Sequence, residues 1–97
     1  SGLDIYSKEE LLSTINEMIE RPGGPTLIYV THHIEEIVPA ITHALLIRSG
    51  EIVAKGDKSH TLTESLLEKT FRVPVSLSWE SGRPWIRIKS IAEEKVK

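Results

Sequence analysis

The stretch Thr26-Leu-Ile-Tyr-Val-Thr-His-His-Ile-Glu-Glu36 decides how the rest of the chain is read. Thr26 to Val30 is a nearly continuous apolar run with β-branched and aromatic members, fenced off upstream by Arg21-Pro-Gly-Gly-Pro25. Such a run suits a strand buried on both faces, as in a parallel sheet, better than one with a wet face. The chemistry then changes abruptly to Thr31, His32 and His33, and helical spacing takes over. In open α/β sheets, ligands bind just past the carboxyl ends of the strands. His32 therefore stands where a catalytic or phosphate-contacting side chain would be placed.

Upstream of that stretch, Ser7 followed by Glu10 fits a capping box. Leu11, Leu12, Ile15, Met18 and Ile19 recur at helical spacing, which predicts an amphipathic helix that Pro22 ends. Downstream, Ile34, Ile37, Val38 and Ile41 predict a short helix, kinked or cut at Pro39 by the missing donor. Ala44-Leu-Leu-Ile47 predicts a buried strand, Ser49-Gly50 a turn, and Glu51 to Gly56 the returning strand. Thr61 with Glu64 repeats the capping-box signature, and Leu62, Leu66, Leu67 and Phe71 mark a third helix. From Val73 the period becomes two: Val73, Val75, Leu77 and Trp79 alternate, Glu80 to Pro84 turn, and Trp85-Ile-Arg-Ile-Lys89 alternates back. Ser90 to Lys97 reads as a charged, frayed helical end. Helix and buried strand in succession are the grammar of an α/β fold.

Composition narrows the function. Ninety-seven residues make one small domain, which buries roughly 60–65% of the surface its unfolded chain exposes. A net charge of −2 gives no basic footprint and argues against nucleic acid as a partner. With no cysteine, disulfide frameworks and thiolate metal sites are excluded. No apolar run approaches the ~20 residues of a membrane span, and no signal-peptide pattern opens the sequence, so the cytosol is the expected location.

The order of these signals resembles a known family. Ser1-Gly-Leu-Asp4, a capped helix, an apolar strand ending in Val-Thr-His32, Glu36 four residues later and a Ser49-Gly50 hairpin closing on Lys55-Gly56 occur together. The ordered set, over roughly residues 1 to 72, resembles the C-terminal half of the ATP-binding subunit of an ABC transporter. The resemblance implies a partial RecA-like P-loop NTPase core for residues 1–72, followed by a small C-terminal β-hairpin and tail at 73–97. It implies that Asp4, with Gly2 and Leu3, forms the D-loop at the interface between two cassettes, and that His32 is the switch histidine contacting the γ-phosphate of ATP. Glu36 matches a family acidic position. His33 departs from the Asp often found after the switch histidine. ATP and Mg2+ are implied as cofactors of a longer parent, with a second cassette copy and transmembrane permease subunits as partners, at the inner face of the cell membrane.

The physical case for an imidazole at this place is independent of the family. Phosphoryl transfer is catalysed mainly by positioning and by stabilising charge on the transferred group, and a ring N–H can donate to it. The sequence also lacks parts. No G-x-x-x-x-G-K-[ST] occurs to cradle phosphates, and the family's signature motif and Walker B strand are absent, so the chain is expected to be about half of a nucleotide-binding domain, inactive alone and binding no ATP by itself.

Each residue also has a plainer reading. His32 alone would be a strand-end histidine satisfied by a carbonyl, while His33, His43 and His60 read as surface residues. Asp4 is equally a helix-start acid, a role compatible with the D-loop. A metal site from His32, His33, Glu35 and Glu36 lacks the H-E-x-x-H spacing, and neighbouring residues diverge, so no metal ligand is assigned. Trp79 and Trp85 read as cross-strand packing. A competing function is a non-catalytic interaction module, because half a RecA-like core leaves an apolar face and an unpaired strand edge that favour a homodimer.

Overall fold

The computed structural model describes residues 4–89. Helix α1 spans Ile5–Glu20, and its N-cap is Asp4, whose carboxylate accepts from the Ser7 amide at 2.7 Å. The cap thus falls one turn before the expected Ser7. Nothing in Ile5-Tyr6 breaks a helix, and a carboxylate takes an orphan N–H with charge assistance. Of the apolar stripe, Leu12 is buried whereas Leu11 is exposed.

The strand expected at Thr26–Val30 does not form. The segment pairs with no other, and Ile28 and Val30 are 86% and 89% exposed. A strand exists only through the ladder of a neighbour. The described residues supply two antiparallel pairs, each complete in itself, and no parallel partner. The expected helix after His33 contracts to a 3₁₀ turn, Ile34–Glu36. Pro39 offers no N–H and disfavours helical backbone at Val38, so the ladder stops there. Ile34 and Val38 are nevertheless buried, which preserves the apolar spacing read from the sequence.

Strands β1 (His43–Arg48) and β2 (Glu51–Asp57) pair antiparallel around Ser49-Gly50, with a shift in register between Leu46 and Ile47. Asp57 then caps the short helix α2 (Lys58–Thr61). Helix α3 (Glu64–Phe71) is capped by Thr63, whose hydroxyl accepts from the Leu66 amide at 3.3 Å. Thr61, the cap expected from the sequence, is buried instead. Arg72 ends α3 in the left-handed conformation, just ahead of Val73-Pro74.

Strands β3 (Val75–Glu80) and β4 (Arg83–Ile88) form the second hairpin. Its inner face joins the core: Ile34, Leu46, Leu62, Leu67 and Val75 are buried together, with Leu77 and Ile86 packed against them. Full burial of Leu67 and Val75 stabilises by about 1.5–3 kcal/mol each. Two carboxylates of α3 satisfy the β3 edge, Glu68 accepting from the Val75 amide at 3.0 Å and Glu64 from Leu77 at 2.8 Å. That arrangement blunts an otherwise open strand edge.

Candidate functional site

The segment Tyr29–Glu36 is held without a sheet by one carboxylate. Glu36, at the end of the 3₁₀ turn, accepts hydrogen bonds from the hydroxyls of Tyr29 and Thr31 and pairs with Lys8 of α1 at 2.9 Å. The Thr31 oxygen in turn accepts from the His33 amide at 3.0 Å. Residues on both sides of His32 are therefore tied down, and the His32 side chain is left exposed on the outside of that clasp. Among the described residues nothing hydrogen-bonds its ring. A fixed backbone carrying an unengaged imidazole can present an N–H to an incoming anionic oxygen.

Electrostatics reinforce the clasp. Burial pushes the Glu36 carboxyl up, but hydrogen bonds from Thr31, Lys8 and Tyr29 outweigh it and hold the group below the usual carboxylate range. The same bond to Glu36 pushes the Lys8 ammonium up. Burial pushes the Tyr29 phenol up, and its bond to Glu36 adds to that. All three stay in the protonation states that the network requires.

A second anchor comes from the far end of the chain. Arg83, at the start of β4, donates through Nε to the Glu35 carbonyl at 2.9 Å, and its Nη2 donates to the same oxygen. Its other edge forks onto the Glu9 carboxylate of α1, at 2.7 and 3.2 Å. The guanidinium lies 4.9 Å from the centre of the Trp85 ring. Hydrogen bonding to Arg83 holds the Glu9 carboxyl below its usual range. The hairpin tip also touches this region through Gly82, where an added Cβ would lie 3.1 Å from the Pro39 side chain.

Of the residues singled out in the sequence, Glu36 lies in the 3₁₀ turn and His32 just ahead of it with no bond between them, and α1, which Asp4 caps, is joined to the turn through Lys8. Asp4 is exposed, and the Ser7 amide holds its carboxyl below the ordinary value. Gly2 and Leu3 lie outside the described residues, as does the charged end Ser90–Lys97. His33 directs its ring to within 3.7 Å of Glu35, an ion pair only when the imidazole is protonated. Among the described residues no three potential metal ligands converge. Trp79 stands opposite Pro84 and Trp85 opposite Ser78, so the two indoles are not cross-strand partners as expected. Lys8, Glu9, Tyr29 and Arg83 were not foreseen as site residues. Arg83 lies 48 positions from Glu35 and 74 from Glu9, a separation for which no spacing rule exists.

No protein-family model matches the chain. It is 44% identical over 77 residues to a putative ABC transporter ATP-binding protein of Streptococcus mutans, an alignment covering 79% of this chain and 30% of that protein. Over 86 residues it is 37% identical to the uncharacterized ABC transporter ATP-binding protein YlmA of Bacillus subtilis, covering 89% of this chain and 33% of that one. Against the uncharacterized ABC transporter ATP-binding protein YmeB of Lactococcus lactis the identity is 36% over 77 residues, or 79% of this chain and 30% of the relative. The chain spans about a third of the length of each of these curated relatives.

Proposed function

This chain belongs to the ABC transporter ATP-binding proteins as a segment about a third of their length, and on that premise we propose that it is the C-terminal portion of such a subunit. The longer protein couples ATP binding and hydrolysis to transport. Residues 1–72 complete its RecA-like nucleotide-binding core, and residues 73–97 form the tail. His32 donates to the γ-phosphate, and Asp4, with Gly2 and Leu3, lies at the contact with a second cassette. ATP and Mg2+ are held mainly by parts outside this chain, and Mg2+ supplies neutralisation of the phosphate charge there. The residues present fit one phosphate contact: an exposed imidazole on a backbone fixed from both sides. That clasp is the observation that carries the reading. Two cassettes working with membrane permease subunits at the cytoplasmic face would be the assembly, and among the described residues no helix is long and apolar enough to cross a membrane.

The test uses the full-length subunit. His32→Ala is expected to lower kcat for ATP hydrolysis by about 10²–10³-fold, the cost of removing one preorganised donor from a developing charge. Unchanged hydrolysis would overturn the assignment. A second reading, a non-catalytic module that dimerises, is favoured by one observation, the near-complete exposure of Ile28 and Val30.

A further inference from the structure

The tail hairpin ends in two contacts with the segment that follows His32. Gly82, at its tip, lies against Pro39, and the next residue, Arg83, takes the Glu35 carbonyl on one edge of its guanidinium. The other edge grips Glu9 of α1, whose N-cap is Asp4. The side chain is only 14% exposed and is braced by the Trp85 ring, so its fork is held in one geometry. Guanidinium presents donors on two edges of a rigid plane, which lets one residue bind a carbonyl and a carboxylate at the same time.

We infer that Arg83 is a positioning residue: it ties α1 to the 3₁₀ turn behind His32 and so sets where the imidazole stands relative to Asp4. The inference rests on the reading of His32 as the γ-phosphate contact. It assigns the tail hairpin a part in catalysis, as the brace of the switch segment. Arg83 acts through the Glu35 carbonyl and the Glu9 carboxylate, the two groups it holds. Lys8, next to Glu9 on α1, holds the same turn directly, 2.9 Å from Glu36 and 3.6 Å from Glu35. Ile34 anchors the turn in the core as well, so removing Arg83 should leave the turn attached and loosen only its tie to α1 and the tail hairpin.

Misplacement of a reacting group by about 1 Å can cost up to 10²-fold in rate. In the full-length subunit, Arg83→Gln is expected to lower kcat about tenfold while KM for ATP changes less than about twofold. Arg83→Lys should not rescue, because an ammonium cannot hold both partners in one plane. Glu9→Gln releases one edge only, and should lower kcat about threefold. Its effect should vanish in the Arg83→Gln background, since the two act as a unit. A purely structural Arg83 would lower the melting temperature and leave kcat per folded molecule unchanged, which overturns the inference. If Arg83→Gln does not fold, Glu9→Gln decides, and an unchanged kcat there overturns it equally. His32→Ala run in parallel separates the two claims. Loss of hydrolysis in that variant with full kcat in Arg83→Gln sinks the positioning role alone, whereas full hydrolysis in His32→Ala sinks the reading beneath it.

Discussion

Asp57 closes β2 and caps α2, and one carboxylate there serves several donors. The Ser59 hydroxyl donates to it at 2.7 Å, the His60 ring nitrogen lies 2.7 Å away and the His60 amide donates at 3.4 Å. These bonds, that of Ser59 first, hold its carboxyl down at about 2, against an ordinary 3.8. A depressed folded-state value means the stabilising contribution is fully present above 3.8 and is lost as pH falls through about 2. Following the Asp57 carboxyl carbon by NMR should therefore give a midpoint near 2, with α2 amide signals changing in step; a midpoint at the ordinary value would refute the cap. In Asp57→Asn, α2 should lose its pH dependence over that window. The caps also show what a sequence specifies at this scale. Ser7 and Thr61 were reasonable N-caps, yet Asp4 and Thr63 do the capping. Several polar side chains near a helix start can reach an orphan N–H, and tertiary burial, as at Thr61, removes some from the competition. The contacts that flank His32, Thr31 to Glu36 and the His33 amide to Thr31, are local in sequence. Arg83 was not legible in the sequence, because its partners are joined to it only by the completed fold.

The two hairpins use the same loop chemistry with different surroundings. Ser49-Gly50 and Ser81-Gly82 both have positive φ at each residue, the two-residue loop whose twist matches the flanking strands. An added Cβ at Gly50 meets nothing within 4 Å, whereas at Gly82 it meets the Pro39 ring at 3.1 Å. Gly50→Ala should therefore cost only the left-handed strain of about 1–2 kcal/mol. Gly82→Ala adds a push against the Pro39 ring, which must give by a few tenths of an ångström, and should cost about 1 kcal/mol more. Urea unfolding of both variants checks this, and equal losses would show that the tip does not bear on Pro39. Both hairpins could be read in outline because alternation and turn residues are short-range signals, but the strand over residues 44–47 is not the buried one expected: Leu46 is buried while Leu45 and Ile47 are exposed. The segment Thr26–Val30 carries an equally clear signal for a buried strand and is not one here. Strand character is a property of the neighbours as much as of the residues, and no such neighbour lies among the described ones. The turn at Ile34–Glu36 shows the opposite case, a helix pattern cut short by a single proline.

Taken whole, the described molecule is elongated, 50 × 29 × 24 Å, with a radius of gyration of 14.8 Å where a compact domain of this length has about 12 Å. Ile5, Leu11, Ile28, Val30, Leu45, Ile47 and Ile52 are all exposed large apolar residues. Scattered singly, such residues are ordinary on a surface; here Ile28 and Val30 lie in a segment whose backbone is also without a sheet partner. Unpaired backbone beside apolar side chains is a template for another chain. The isolated 97-residue polypeptide should accordingly associate, as a dimer whose fraction rises with concentration in light scattering. It should also show no saturable heat with Mg2+-ATP, because no glycine-rich phosphate loop occurs in its sequence. Micromolar affinity would mean that a complete site exists within these residues and would overturn the fragment reading. The double substitution Ile28→Lys with Val30→Lys separates association through this segment from association elsewhere. Both side chains are already in water, so the fold should be retained. Like charges brought together across a dimer should shift the equilibrium to monomer. A wild-type chain monomeric at every concentration, or a lysine variant that still dimerises, would show that this segment is not what draws two copies together.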